Sequence, residues 1–278
     1  MTRFAAMAWD SRRCVAWTWL AGTLLLALAG CAAPSAGGDG AAPSHDMLTE
    51  SDEPEARKRA RIRMELAVGY FEQGQTKVAL DEVKQVIAAD PSFPDAYNLR
   101  GLIYMRLNDL RQAEESFHRA AALNPRDANV QHNYGWMLCQ QGRYDESLRA
   151  FEVAMANPLY AGRAKTLMAQ GLCQARAGRM AEAERSLARS YELDAGNPVT
   201  GYNLASLLFR KADFTRAQFY IRRLNNSELA NAETLWLGVK VERRLNDRVA
   251  MRQLGEQLKK RFPQSRETAA YDRGAFDE

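Results

Sequence analysis

The chain has 278 residues, with 38 Lys+Arg against 34 Asp+Glu and a formal net charge of +4. A balance so near neutral, with no basic cluster interleaved with aromatics, gives no reason to invoke a nucleic-acid partner. The length is within the range of a single solenoid domain, and no second folded unit is expected.

At the N-terminus, Arg12 and Arg13 precede an apolar run from Val15 to Ala29 that closes on Leu28-Ala29-Gly30-Cys31. A basic stretch, an apolar run of about 15 residues and a small-residue junction read as a secretory signal, because a membrane span needs about 20. The junction resembles the bacterial lipobox, in which a leucine and two small residues precede a cysteine. That resemblance implies cleavage after Gly30 and acylation of Cys31; an ordinary secretion signal with an incidental cysteine is the alternative. Removal of 1–30 takes away three arginines (Arg3, Arg12, Arg13) and Asp10, so +2 of the formal +4 remains. Ala32 follows the cysteine, where an aspartate would favour inner-membrane retention, so the resemblance implies the outer membrane, periplasmic face. Three acyl chains exceed the two signals needed for stable anchoring in its lipid. From Ala32 to about Pro54 the chain is rich in Ala, Gly, Pro and Ser and reads as a tether, spanning roughly 26 Å root-mean-square as a flexible coil.

From about Glu55 to Gln264 three columns of residues advance in step. A small residue recurs at Ala67, Gly101, Gly135, Gly171, Ala205 and Gly238. A second recurs at Ala79, Ala113, Ser147, Ala183, Ala217 and Ala250. A bulky apolar residue recurs at Val83, Phe117, Phe151, Leu187, Ile221 and Leu254. Subtracting residue numbers gives spacings of 34, 34, 36, 34 and 33 in every column. This is the period of the tetratricopeptide repeat, a helix–turn–helix unit. The small residues belong where two antiparallel helices cross, the bulky one fills the space towards the next unit, and Pro91 and Pro125 stop second helices. The expected fold is therefore all-α, a superhelical solenoid of six tetratricopeptide repeats whose last two units are degenerate. A short helix over 265–278 follows, with Ser265 as N-cap and Gly274 as stop.

Of four cysteines, Cys14 leaves with the signal and Cys31 is the lipid-attachment candidate. Cys139 and Cys173 remain, four residues after Gly135 and two after Gly171, on the first helices of adjacent units. An offset of two residues turns a helical side chain by about 200°, so the two thiols should face each other, which suits a disulfide in an oxidising compartment. Two buried free cysteines are the alternative.

No catalytic constellation emerges. His45 lies in the tether, and His118 and His132 sit on different helices without partners at metal-ligand spacing. Asp81-Glu82 and Glu114-Glu115 are expected on solvated second-helix faces. The chain reads as a binding protein and not an enzyme, with no cofactor, metal or small-molecule substrate. Its binding surface should be the concave face, lined by first-helix residues outside the packing columns: Asn98, Leu102, Met105, His132, Trp136, Met168, Leu172, Tyr202 and Phe209. Aromatic and methionine side chains in a groove suit an extended or helical apolar peptide. The alternative for each is packing against a neighbouring helix.

One resemblance goes beyond the repeat. The block Asn133-Tyr134-Gly135-Trp136-Met137-Leu138-Cys139, then Asn157-Pro158-Leu159-Tyr160 and Gly171-Leu172-Cys173 with Ala175 and Gly178, resembles the centre of the type IV pilus biogenesis lipoproteins of the pilotin group. The tail with Phe262-Pro263-Gln264-Ser265, Glu267, Tyr271 and Gly274-Ala275-Phe276 is similar to theirs too. The resemblance implies a lipoprotein that binds the type IV pilus secretin subunit, promotes its outer-membrane assembly, and supports piliation and twitching motility. A periplasmic tetratricopeptide scaffold for barrel insertion or cell-wall enzymes is the other reading.

Overall fold

The computed structural model describes residues 53–277; the signal segment, Cys31 and nearly all of the tether lie outside the described residues. Within them thirteen helices follow one another: α1 (Glu55–Glu72), α2 (Thr76–Ala89), α3 (Pro94–Arg106), α4 (Leu110–Leu123), α5 (Ala128–Gln140), α6 (Tyr144–Met155), α7 (Arg163–Arg176), α8 (Met180–Leu193), α9 (Pro198–Arg210), α10 (Phe214–Asn225), α11 (Ala232–Arg244), α12 (Arg248–Arg261) and α13 (Arg266–Arg273). Consecutive helices pack in six pairs, and the second helix of each pair packs on the first of the next. This is the all-α solenoid of six tetratricopeptide units, closed by α13. No helix among the described residues is long and apolar enough to cross a membrane.

The boundaries follow local chemistry. Asp109, Asp127, Asn197, Asp213, Asn231, Asp247 and Ser265 each accept a backbone N–H of the helix they precede. These contacts satisfy donors that the first helical turn leaves without intrahelical partners. The turn inside each pair needs one residue in the left-handed region. Gly74, Gly142 and Gly178 supply it in units one, three and four, and Asn108, Ala212 and Asn246 in the others, at φ of 60–61°. Asparagine tolerates this region better than most residues; Ala212 holds it without that help.

The columns form the core. Ala79, Ala113, Ser147, Ala183 and Ala217 are fully buried, and Val83, Phe117, Phe151, Leu187 and Ile221 are at most 1% exposed. Gly101 shows why the first column is small: a Cβ placed there would lie 2.6 Å from the Phe117 ring. Helix α3 therefore approaches α4 closely enough for the ring to lie over bare backbone.

Unit six departs from the expected register. The turn residues Ala212 and Asn246 are 34 apart, as are the caps Asp213 and Asp247, so the unit contains no deletion. Counting 34 from Ile221 reaches Gly255 in place of Leu254, and 34 from Ala217 reaches Met251 in place of Ala250. Leu254 and Ala250 are only half-buried, unlike their counterparts in earlier units, although Leu254 still packs on Gly238, where a Cβ would lie 3.0 Å from its Cδ1. The space beside Gly255 is filled from outside the unit: a Cβ there would collide with the Tyr271 ring of α13. Tyr271, Phe276 and Trp236 form one aromatic cluster, with Trp236 and Phe276 stacked at 5.5 Å. The last bulky residue of the array is therefore donated by the terminal helix, which covers an apolar face that would otherwise meet water. Ser265 and Gly274 bound α13, the latter at φ 69°.

Candidate partner-binding groove

First helices of successive units touch directly: α1 with α3, α3 with α5, α5 with α7, and α9 with α11. They make the inner layer of the solenoid, and most residues expected in the groove lie along it, half-buried. Asn98 accepts from Asn133 Nδ2 at 3.0 Å and so links α3 to α5. Leu102 and Met105 rest against the cluster of Phe117, Met137 and Leu138. Trp136 packs on the cluster of Phe151, Cys139 and Cys173, and Arg176 of α7 lies over its ring at 5.2 Å. Met168, Tyr202 and Phe209 rest against the buried leucines of units four and five. Leu172, one turn after Met168 on α7, is half-buried as well. Each of these side chains is held on one side by packing and keeps another side at the surface.

His132 is the exception and corrects the expectation. It is only 5% exposed, with Nδ1 2.8 Å from Thr166 Oγ1, and Thr166 also meets the Tyr160 hydroxyl at 3.0 Å. Its ring lies 5.9 Å from that of Phe151. Burial, aided by the Lys165 ammonium, lowers its pKa to about 4, so the imidazole is neutral at physiological pH. The two extra residues between units three and four fall in the loop that carries Tyr160, which turns inward on to Thr166, whereas Leu159 beside it is 90% exposed.

Cys139 on α5 and Cys173 on α7 are joined by a disulfide with Cα atoms 5.7 Å apart. Ser147, the one polar member of its column, has its hydroxyl 3.3 Å from Cys173 Sγ. Closing a loop over a separation of 34 residues stabilises the fold by about 3–4 kcal/mol on chain-entropy grounds. The bond pins together the two helices that present Trp136 and Leu172.

One member of each acidic pair is taken up by an ion pair, while Asp81 and Glu115 are exposed. Glu82 meets Arg63 at 2.9 Å, and Glu114 meets Arg143 at 2.7 Å while accepting from Tyr134. Among the described residues no group of three or more His, Cys, Asp or Glu is placed to hold a metal ion.

Beyond Tyr202 and Phe209 the groove deepens into a cavity of about 600 Å³ between α9, α11 and α13. Trp236, Lys240, Arg210, Arg266 and Arg273 line it with them, and sequence reasoning placed none of these at the site. The degenerate unit hid Trp236 and Lys240. Arg210 repeats Arg106 and Arg176 at the last position of a first helix, a column outside the packing ones, whereas Arg266 and Arg273 lie on the terminal helix beyond the repeats. The Lys240 ammonium sits 5.8 Å from the Phe209 ring and 5.5 Å from the Trp236 ring, and burial lowers its pKa. Burial, then the nearby Glu233 and Glu267, raises that of Tyr202.

Comparison with known proteins fits this architecture. Residues 100–164 match the tetratricopeptide repeat family, and residues 69–108 match a second description of the same repeat. The chain is 27% identical over 221 residues to a type IV pilus assembly protein, PilF, of Pseudomonas aeruginosa, covering 80% of this chain and 86% of that one. The solved structure of PilF superposes with a TM-score of 0.71 at 25% identity, over 80% of this chain and 100% of that one. The crystal structure of PilW, described as a widely conserved type IV pilus biogenesis factor, superposes with a TM-score of 0.70 at 28% identity. It covers 76% of this chain and 97% of PilW.

Proposed function

Because this chain is a tetratricopeptide-repeat protein homologous to the type IV pilus biogenesis proteins PilF and PilW, we propose that it acts in the same process. In this reading it is an outer-membrane lipoprotein on the periplasmic face. Acylated Cys31 anchors it in lipid, the tether holds the repeats near the surface, and the groove holds a secretin subunit while the secretin ring assembles. The observation that carries the reading is that the likeness to PilF and PilW runs through the whole array. A match limited to one or two repeats would be shared by tetratricopeptide proteins of many functions.

The geometry suits holding and delivery. Half-buried apolar side chains on a backbone fixed by the Cys139–Cys173 disulfide present a groove that needs little reorganisation on binding, which limits the entropy a partner must overcome. No residue is assigned a catalytic role, and no cofactor or small-molecule substrate enters the scheme.

Co-purification tests the groove. Lipidated protein extracted from outer membranes should bring the secretin subunit with it, and Trp136→Ala should release it. Truncating a buried aromatic anchor at an interface commonly costs about 2 kcal/mol or more. Undiminished secretin recovery with that variant, at unchanged protein level, would place the contact elsewhere.

A further inference from the structure

The closed end of the groove has an excess of positive charge that its own acids do not balance. Three arginines line it, Arg210, Arg266 and Arg273, against two carboxylates, Glu233 and Glu267. Both carboxylates are held by one of the three, since Arg266 meets Glu233 at 3.2 Å and Glu267 at 2.6 Å. Among the described residues no carboxylate lies within the 4.0 Å ion-pair distance of Arg210 or Arg273. These two end α9 and α13 and line the cavity together with the apolar Tyr202, Phe209 and Trp236. One unit along the inner layer, Arg176 likewise has no carboxylate within that distance among the described residues and lies over Trp136. A guanidinium lying over a ring still directs its N–H edge outwards, where a carboxylate can accept from it.

We infer that the groove between α9, α11 and α13 is specific for an acidic protein segment with an apolar anchor, whose carboxylates pair with Arg210 and Arg273 while the anchor enters the cavity. The inference rests on the groove reading above and adds to it the charge of the partner. An apolar segment alone would leave two guanidinium groups partly desolvated without partners, and a basic segment would meet like charge. Either outcome disfavours the wrong ligand.

Selection from a displayed random peptide library on the purified full chain, with an Arg210→Gln/Arg273→Gln variant in parallel, tests this. Peptides retained by the natural chain should be enriched in Asp and Glu flanking one large apolar residue. Their binding should weaken with added salt and fall about tenfold or more in the double variant. Amide-for-acid versions of those peptides should bind both proteins alike. Enrichment of apolar residues without acids overturns the charge inference and leaves the groove reading standing, provided that Trp136→Ala or Tyr202→Ala abolishes retention. Equal acidic enrichment on the double variant also overturns it. Retention of no peptide by the natural chain overturns both.

Discussion

At the scale of single residues, His132 shows how a side chain can satisfy the spacing of one role and perform another. It lies five residues into α5, where the repeat period directs side chains to the inner layer, and its spacing alone matches that of Tyr202 and Met168. It is buried instead, against the Phe151 ring and bonded to Thr166, which Tyr160 of the inserted loop also meets. A loop that folds inward leaves no periodic trace in the sequence. The consequence can be measured through pH. The folded-state pKa of about 4 lies below the ordinary 6.5, so between those values the unfolded chain binds the extra proton. Stability from the neutral imidazole is therefore full above about pH 6.5 and lost as pH falls towards 4. The slope approaches about 1.4 kcal/mol per pH unit in the middle of that window. Denaturant unfolding at a series of pH values should show this slope in the natural chain and its loss in His132→Gln. A slope unchanged by the substitution would assign it to other groups. Ser147 is a smaller case, a polar residue in a column of alanines that is explained once Cys173 Sγ is found beside it.

At the scale of helices and units, the columns were legible because the same physical demand recurs wherever two helices cross, and each demand is met within one unit. That locality fails at the sixth. Gly238, Ala250 and Leu254 resemble the columns closely enough to suggest a one-residue deletion, but turn and cap positions keep the 34-residue period. The space beside Gly255 is filled by Tyr271, sixteen positions on, the interval that also separates Gly101 from Phe117 and Gly135 from Phe151; here it joins α12 to α13, beyond the last unit, where the columns were not followed. Tyr271→Ala should open a cavity against Gly255 and Trp236, destabilising the last unit by about 2–4 kcal/mol. Because each unit is supported mainly by its neighbours, the loss should be local. Hydrogen exchange should quicken in α11, α12 and α13 while amides of α3 to α6 keep their protection. A uniform loss across all helices would contradict the quasi-linear coupling assumed here. In Ser265 and Gly274 the bounds of α13 were readable, since caps act within a few residues of chain.

At the scale of the whole molecule, fold and function were legible to different depths. The repeat period was enough for the solenoid, whereas the direction of each groove side chain depended on packing between units, and the charge of its closed end on arginines outside the packing columns, two of them on the terminal helix. The anchoring proposal belongs to this scale too. With Cys31 as the nucleophile at the lipobox-like junction, Cys31→Ala should accumulate as an uncut precursor that takes up no labelled palmitate and leaves the outer-membrane fraction. Palmitate incorporation at the natural level in that variant would exclude the cysteine as the lipid site.

The central proposal, that a tethered groove holds and delivers a secretin subunit, is tested most directly by assaying secretin in cells that lack this protein. Heat-resistant secretin multimers and surface pili should disappear while secretin monomers persist, other outer-membrane barrels insert normally, and re-expression of the natural chain restores the multimers. Normal secretin multimers in the deletion strain, accompanied by a general loss of barrel proteins, would contradict that proposal and favour a scaffold for barrel assembly.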